Sequence, residues 1–238
     1  MRDVLDLGEL HAEVTRKAIK HVHLSVLPPA GKVRVAAPQS MPLDTIRLFV
    51  VSKLGWIRSQ QRKLQAQERE TPREFLNKES HYLWGKRYLL EIQHADAAPI
   101  VSLSPRKLIL QVREGADQAR CKEVLDAWYR QQVRDAVPAL LAKWEPLLRV
   151  KATRVYVQRM RTKWGSCTPR SGYIRLNTDL AKKPPECLEY IVVHELMHLL
   201  EPSHNEHFAA LMTRHLPHWQ HLRQQLNRLP VRHEDWDY

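Results

Sequence analysis

Alternating apolar and polar residues, separated by turn signals, predict strands along the first half of the chain. The segments from His21 to Val26 and from Lys32 to Ala36 alternate on either side of Pro28-Pro29-Ala30-Gly31, which predicts a β-hairpin. Further strands are predicted at Tyr88 to Ile92, Ile100 to Leu103 and Leu108 to Val112. This β-rich region ends near Gly115.

One helix interrupts these strands. Apolar residues recur near the helical period at Ile46, Phe49, Val50, Leu54, Ile57 and Leu64. Asp44 is well placed to be the N-cap, because its carboxylate can accept hydrogen bonds from the first free N–H groups of the helix. Lysines and arginines fall largely off the apolar stripe, so the exposed face of this helix should be basic.

Helical periodicity dominates the second half of the chain. Two apolar sets keep the helical period, Cys121-Val124-Leu125-Trp128 and Leu140-Leu141-Trp144-Leu147. Pro138 lies between them and should kink or split the run. Short strands are predicted at Arg154 to Val157 and Tyr173 to Asn177, and later helices around Phe208 and Trp219.

These patterns predict an α+β fold with two regions. Residues 1–115 form a β-rich N-terminal region with a basic helix, and residues 116–238 form the mainly helical region. At 238 residues and 43% hydrophobic content, the chain can bury a sizeable core. Length alone allows one compact unit or two domains.

A buried helix carries the strongest chemical signal. Pro185 and Glu186 favour a helix start, and the apolar residues on both sides of His194-Glu195-Leu196-Met197-His198 indicate burial. Histidines four residues apart share one helix face and can bind one metal ion, while Glu195 lies beside them. This arrangement predicts one catalytic zinc ion per chain.

Catalytic zinc has three protein ligands and an open position, so a third ligand is needed. His204 is the main candidate, because Pro202 disfavours helix and should reverse the chain just before it. Glu206 and His207 remain alternative ligands, since they lie within reach of the same turn. Zinc accepts either residue type.

The predicted site has the parts of a hydrolase. Zinc would lower the pKa of a bound water towards ~7, and Glu195 would accept the proton and later pass it to the leaving amine. The developing oxyanion needs a further stabiliser besides zinc. Four residues are candidates that the sequence does not rank: Tyr173, Arg159, Arg161 and His207.

Three stretches and one histidine resemble the YgjP-like metallopeptidases, which are similar in turn to the SprT-like and WLM zinc proteases. The matching stretches are Arg159 to Cys167 (RMRTKWGSC), Gly172 to Asn177 (GYIRLN) and Tyr190 to Leu199 (YIVVHELMHL), followed by His204. The likeness runs from about Val22 to Leu229.

The resemblance implies a zincin-like fold, with a helix that carries the HExxH motif beside a small antiparallel sheet. It implies that His194, His198 and His204 bind zinc and that Glu195 is the base. It also suggests that an extended peptide substrate pairs along the strand Tyr173 to Asn177 as an open sheet edge.

Composition adds limits on location. The N-terminus has acids where a signal peptide needs a basic end, and no apolar run approaches the ~20 residues of a membrane span. We therefore expect a cytoplasmic protein that does not enter the membrane. The three cysteines, without framework spacing, should be reduced. Cys187 should be a small core residue, and Cys167 either a buried thiol or a reactive one.

Charge raises a second functional class. The net charge is +12, and eight basic residues with no acid lie between Glu145 and Asp179, in what we call the basic segment (residues 149–175). Such a surface suits nucleic acid or acidic peptides. The alternative to a peptidase acting on peptide or protein substrates is therefore a nucleic-acid- or partner-binding module with a structural zinc. Structural zinc usually has four ligands rich in cysteine, so the ligand set favours the enzyme.

Overall fold

Strands and helices occupy most of the part of the chain that the computed structural model describes, which comprises residues 2–8, 10–27, 31–66, 73–160 and 163–229. These residues form two compact units, the first within Met1–Glu70 and the second within Thr71–Leu229. No described helix has both the length and the apolar character needed to cross a lipid bilayer.

The first unit is a four-stranded sheet followed by two helices. Its strands are β1 (Arg2–Asp6), β2 (His11–Lys17), β3 (His23–Leu27) and β4 (Lys32–Pro38), in the order β1-β2-β4-β3. The central pair β2 and β4 is parallel, and both outer pairs are antiparallel. The helices are α1 (Leu43–Ser52) and α2 (Leu54–Ala66). Buried apolar residues of the sheet and the helices form one core cluster.

The sequence prediction for this unit is partly confirmed. The predicted hairpin exists, because β3 and β4 pair antiparallel with Val26 opposite Val33. The single predicted helix is two helices, because the backbone leaves the helical conformation at Lys53, whose N–H bonds back to the end of α1. Asp44 is not the N-cap. Pro42 takes that place, and Asp44 lies in the first turn, where an acid still favours the positive helix end.

The second unit begins with a sheet of the same topology. Its strands are β5 (Ser80–Leu83), β6 (Lys86–His94), β7 (Ile100–Leu103) and β8 (Lys107–Val112), in the order β5-β6-β8-β7. Again a central parallel pair has an antiparallel strand on each side. The three strands predicted in this region are confirmed in β6, β7 and β8. Strands β1, β2 and β5 were not predicted.

A single long helix, α3 (Gln118–Leu148), follows this sheet. Its N-cap is Asp117, whose side chain accepts a hydrogen bond of 2.8 Å from the N–H of Arg120. Of the two outcomes predicted at Pro138, a kink or a split, the split does not occur, since the helix contains both Pro138 and Pro146 without ending. Burial of α3 residues on either side of Pro138 compensates for the hydrogen bond that proline cannot donate.

The remaining elements surround the site. A three-stranded sheet contains β9 (Arg154–Gln158), β10 (Gly165–Thr168) and β11 (Tyr173–Asn177), and a 3-10 helix spans Thr178–Lys182. The helices are α4 (Pro185–Met197), α5 (Glu206–His215) and α6 (Trp219–Arg228). The order is β10-β11-β9, with β9 parallel to β11. The sheet is therefore mixed, whereas an antiparallel sheet was expected, because β9 and β10 pair on opposite sides of β11.

The hydrophobic core of the second unit explains why the boundary between the two units lies before β5. Buried residues of β5, β6 and β8 belong to the same hydrophobic cluster as those of α3 and α4. Strands β5 to β8 therefore pack with the helical part of the chain, although the sequence pattern had placed a division near residue 115. The whole is a mixed α+β fold, as predicted.

Candidate functional site

Helix α4 is buried on nearly all sides. It begins at Pro185, the proline that the sequence placed in the first turn, and Glu186 lies in the same turn. The helix packs against α3, α5, α6, β10 and β11. Buried residues occur all along it: Cys187, Leu188, Tyr190, Ile191, Val192, Val193, Glu195, Leu196 and Met197. Such a helix can hold ionisable side chains only if each has a compensating partner or loses its charge.

The chain reverses directly after α4. His198 is the C-cap, and the next three N–H groups bond back to carbonyls of Leu196 and Met197. Glu201 then fixes the turn, because its carboxylate accepts hydrogen bonds from the Ser203 N–H (3.1 Å) and hydroxyl (2.8 Å). These hydrogen bonds lower the pKa of Glu201 to about 2. The reversal predicted from Pro202 therefore occurs.

This turn returns His204 to the end of α4 and completes what we call the histidine cluster (His194, His198 and His204). Nε2 of His204 lies 2.9 Å from Nε2 of His194. One ring nitrogen from each of the three histidines lies within 4.8 Å of the others, so the cluster can hold a metal ion. The ring of Phe208, in α5, contacts all three imidazoles at centroid distances of 4.8 to 5.0 Å.

The protonation of the cluster suits metal binding. Nδ1 of His198 lies 3.1 Å from the carbonyl oxygen of Glu201, a geometry in which Nδ1–H donates and Nε2 keeps its lone pair. Burial, followed by the neighbouring histidines and Arg223, lowers the pKa of His194 to about 3. Burial is also the main cause that lowers the pKa of His204. His194 and His204 are therefore neutral at pH 7, as metal ligands must be.

Glu195 lies beside the cluster and is only 4% exposed. Burial raises the pKa of its carboxyl group to about 8, and Lys163 partly opposes that shift. Its Oε2 atom is buried and has no hydrogen-bond partner among the described residues. A buried carboxylate oxygen without a partner is costly, so a group bound at this point would compensate it.

A glycine allows Glu195 to take this position. An added Cβ on Gly165, the first residue of β10, would lie 2.5 Å from Oε1 and 2.8 Å from Cγ of Glu195. Buried Asn177 holds two residues that precede Gly165, because its side-chain amide donates to the carbonyls of Met160 (2.8 Å) and Lys163 (2.9 Å). The family resemblance suggests that the turn from Trp164 to Cys167 shapes the site, but spacing along the chain predicts neither the close approach of Gly165 to Glu195 nor the hydrogen bonds of Asn177.

The donor set fits zinc. Three imidazole nitrogens suit tetrahedral zinc, whereas magnesium and calcium prefer oxygen ligands. The alternative ligands do not join the cluster. Glu206 is exposed in the first turn of α5, and the His207 side chain is 65% exposed with Nδ1 3.4 Å from Glu201 Oε2. Cys167 is half-buried, and burial raises the pKa of its thiol to about 11, which argues against a reactive thiolate.

A cavity of about 560 Å³ lies next to the cluster, with His194, Glu195 and His204 in its lining. Its apolar lining comprises Trp164, Tyr190, Ile191, Phe208, Ala209, Trp219 and Leu226. Its polar lining comprises Lys163, Asn205, Arg223 and Asn227. Arg223 and Asn227 were missed because α6 shows them only as polar positions of an amphipathic helix.

The four candidate stabilisers lie elsewhere or outside the described residues. Tyr173 pairs with Thr168, at the end of the β10–β11 hairpin away from Gly165, and its ring packs edge-on against Tyr156 at 5.9 Å. Arg159 and His207 do not line the cavity. Arg161 lies outside the described residues. Their role in stabilising an oxyanion stays a prediction without support from their location.

The expected open edge is also elsewhere. Strand β11 (Tyr173–Asn177) is the central strand of its sheet and pairs on both sides, so the expectation that it forms an edge is wrong. Strand β10 lies at an edge instead. In the β10–β11 hairpin, one side of β10 pairs with β11, and Gly165 at the start of β10 lies next to Glu195. The sequence pattern does not reveal this arrangement.

Comparison with known proteins gives a family match. The family profile described as YgjP-like, metallopeptidase domain, matches residues 20–229. Among solved structures, the chain is similar to the crystal structure of the metallopeptidase zymogen of Methanocaldococcus jannaschii jannalysin. That similarity has 21% identity and a TM-score of 0.33, and it covers 40% of this chain and 87% of that chain. No curated protein matches the chain.

The raised pKa of Glu195 predicts a stability effect in metal-free protein. Between pH 4.5 and 8 the folded state binds a proton at Glu195 that the unfolded state has released, so stability falls as pH rises through this range. Glu195→Gln removes this fall in stability, because the amide does not ionise. The variant should melt about 10 °C above wild type at pH 8.5 and show no gain at pH 4.5.

Thermal unfolding of chelator-treated protein across this pH range is the measurement. Glu186→Gln, at an exposed position of the same helix, is the matched control and should show no pH-dependent gain. An equal gain for Glu195→Gln at both pH values would contradict the assignment of the effect to the ionisation of Glu195.

Proposed function

The chain belongs to the YgjP-like metallopeptidase family, and from this premise we propose that it hydrolyses peptide bonds with one zinc ion held by His194, His198 and His204. One observation carries the proposal. Three imidazoles converge beside a carboxylate whose buried Oε2 has no partner among the described residues. That combination suits hydrolysis, because it would leave a proton acceptor next to an ion that three protein ligands hold.

The ion supplies Lewis acidity when bound: it lowers the pKa of a water towards ~7 and polarises a carbonyl group. The rest of the chemistry belongs to the chain. Glu195 accepts the proton from the attacking water and returns it to the leaving amine. A carboxyl group whose pKa is about 8 before metal binding can both accept and release a proton near neutral pH.

Two neighbours hold Glu195 in a position to do this. Gly165 permits the close approach of its carboxylate to β10, and Ile191, one turn earlier in α4, lies against the same point of Gly165. A confined carboxylate loses little freedom when it engages the water, which lowers the barrier. Burial also strengthens the interaction of the carboxylate with any proton or charge in the site.

Strand β10 is the segment of the chain best suited to bind the substrate backbone. It lies at the edge of its sheet, and its first residue contacts Glu195. An extended peptide that pairs along this edge would present a carbonyl group to the histidine cluster. Backbone pairing tolerates varied side chains, so specificity would come from the cavity next to the strand.

The structural-zinc alternative has less support. A structural site is usually closed by four ligands, often cysteines. Of the three cysteines, Cys121 and Cys187 are buried free thiols in the core, and Cys167 is not part of the histidine cluster. The three-histidine set with an adjacent cavity supports an open, catalytic site.

Nucleic-acid binding is a second candidate function, and one face of the three-stranded sheet favours it. Arg154 and Tyr156 alternate with Tyr173 and Arg175 on the neighbouring strand, and both guanidinium groups lie over the Tyr156 ring at 5.3 and 5.9 Å. Cations interleaved with aromatic rings suit phosphates and stacked bases. The face opposite, with Ile174 and Leu176, joins the core.

The zinc assignment predicts about one zinc per chain in purified protein. His204→Ala should weaken zinc affinity by on the order of 100-fold or more, because the site loses a ligand, while His207→Ala should change it little. Zinc competition with a chelator, together with elemental analysis, measures both. Zinc retained by the double variant His194→Ala, His198→Ala would overturn the assignment. A larger loss of zinc affinity in His207→Ala than in His204→Ala would identify His207 as the third ligand.

The role of Glu195 predicts a graded loss of activity. Glu195→Gln should keep zinc and lose about 10²- to 10⁴-fold in kcat/KM, since the amide cannot accept the proton. Gly165→Ala should lose about 100-fold, because the new Cβ displaces the carboxylate. Gly55→Ala, in α2, is the matched control: its Cβ would meet nothing within 4 Å. Near wild-type kcat/KM in zinc-loaded Gly165→Ala would show that this contact is dispensable.

The second candidate predicts salt-sensitive binding of single-stranded DNA. The double variant Arg154→Glu, Arg175→Glu should weaken binding and reduce the slope of log affinity against log salt by about 0.7 per lost phosphate contact. Fluorescence anisotropy of a labelled oligonucleotide at several salt concentrations measures this. Lys122→Glu with Arg134→Glu, both exposed on α3, is the charge-matched control. Equal effects of the two double variants would reject a specific nucleic-acid face.

A further inference from the structure

Two cations, Lys163 and Arg223, line the cavity beside the histidine cluster. They come from different elements: Lys163 lies just before β10, and Arg223 lies on α6. Within the part of the chain that the structure describes, no carboxylate forms an ion pair with either side chain. Both residues are exposed to solvent, and both line the concave space beside the histidine cluster that the proposed chemistry uses.

The charge balance of the cavity is one-sided. Among the described residues, Glu195 is the only acidic one in the lining, and it is buried beside the histidine cluster. The other polar lining residues, Asn205 and Asn227, are neutral amides. The field therefore disfavours a cationic substrate group and favours an anionic one.

Lys163 has a fixed backbone. The Asn177 amide donates to its carbonyl oxygen at 2.9 Å, and the Asn177 N–H donates to the carbonyl oxygen of Trp164 at 2.9 Å. These hydrogen bonds fix the backbone from which the Lys163 side chain extends, just before β10 begins. Arg223 lies one helical turn before Asn227 on α6, and both line the cavity. A guanidinium group offers paired N–H donors that match the two oxygens of a carboxylate.

We propose that Lys163 and Arg223 bind a carboxylate of the substrate, so that the enzyme prefers peptides with a carboxylate close to the scissile bond. The inference rests on the proposed peptidase function, because it names the substrate class of the same site. Two sources supply this chemistry: the side chain of an aspartate or glutamate, and the α-carboxylate of a free C-terminus. In either case Lys163 and Arg223 are specificity residues that touch the substrate and take no part in the proton transfer.

The test uses the zinc-loaded full chain and a peptide series that varies one residue at a time between Glu, Ala and Lys. Each peptide is made with a free and with an amidated C-terminus. The preferred Glu peptides should have kcat/KM values about 10- to 100-fold above their Ala counterparts, and Lys peptides should fall below Ala. If kcat/KM falls only when the C-terminus is amidated, the recognised group is the α-carboxylate. If kcat/KM falls only when Glu in the peptide is replaced by Ala, the recognised group is a side-chain carboxylate.

Variants connect the preference to the two cations. Lys163→Gln and Arg223→Gln should each reduce the Glu-over-Ala ratio about tenfold, chiefly through KM, and Arg223→Glu should favour the Lys peptides. Arg228→Gln is the matched control, because Arg228 is exposed on the same helix and does not line the cavity. An equal change in Arg223→Gln and Arg228→Gln would overturn the inference.

A binding measurement separates this inference from the proposed function. Zinc-loaded Glu195→Gln and fluorescently labelled Glu, Ala and Lys peptides report affinity without turnover. Cleavage of all peptides at similar kcat/KM, with equal affinities, would overturn the inference and leave the peptidase function standing. Tighter binding of Glu peptides, lost in Arg223→Gln, would support carboxylate recognition even if wild type cleaved no peptide, a result that would overturn the peptidase function instead.

Discussion

The burial of Glu195 within α4 is the constraint on which the rest of the site depends. A carboxyl group that is 4% exposed among apolar side chains is costly to ionise, and burial raises its pKa to about 8. The chain tolerates this cost because Gly165 leaves room for the carboxylate and the histidine cluster lies beside it. Zinc bound to that cluster would favour the ionised form, so the same arrangement that weakens the metal-free fold prepares the site for catalysis.

The position of the third histidine, His204, depends on the turn after α4 and not on the helix itself. Hydrogen bonds to the Glu201 carboxylate fix the turn after α4, and the His198 ring contacts the carbonyl group of the same residue. Glu201 therefore orients one member of the cluster and positions another. Phe208 packs against all three rings. These contacts orient the histidines before a metal binds, which reduces the entropy lost on binding.

Sheet topology decides how the substrate region is built. The two four-stranded sheets share a central parallel pair flanked by antiparallel strands, and each is followed by helices. The second packs in one core with α3 and α4. The separate three-stranded sheet supplies an edge strand, β10, beside Glu195, and α6 supplies Arg223 to the cavity. In the proposed function, catalysis and specificity would thus come from different elements around one buried helix.

The sequence by itself determined the features that depend on local spacing. The pairing of β3 with β4, the start of α4 at Pro185, the shared face of His194 and His198 and the reversal before His204 all follow from residues close in the chain. Tertiary structure alone decided the continuity of α3 through Pro138, the central place of β11, the contact of Gly165 with Glu195, and the positions of Lys163 and Arg223 in the cavity lining. These depend on contacts between residues far apart in sequence. A periodic pattern records which face of an element is buried, but it does not record what that face meets.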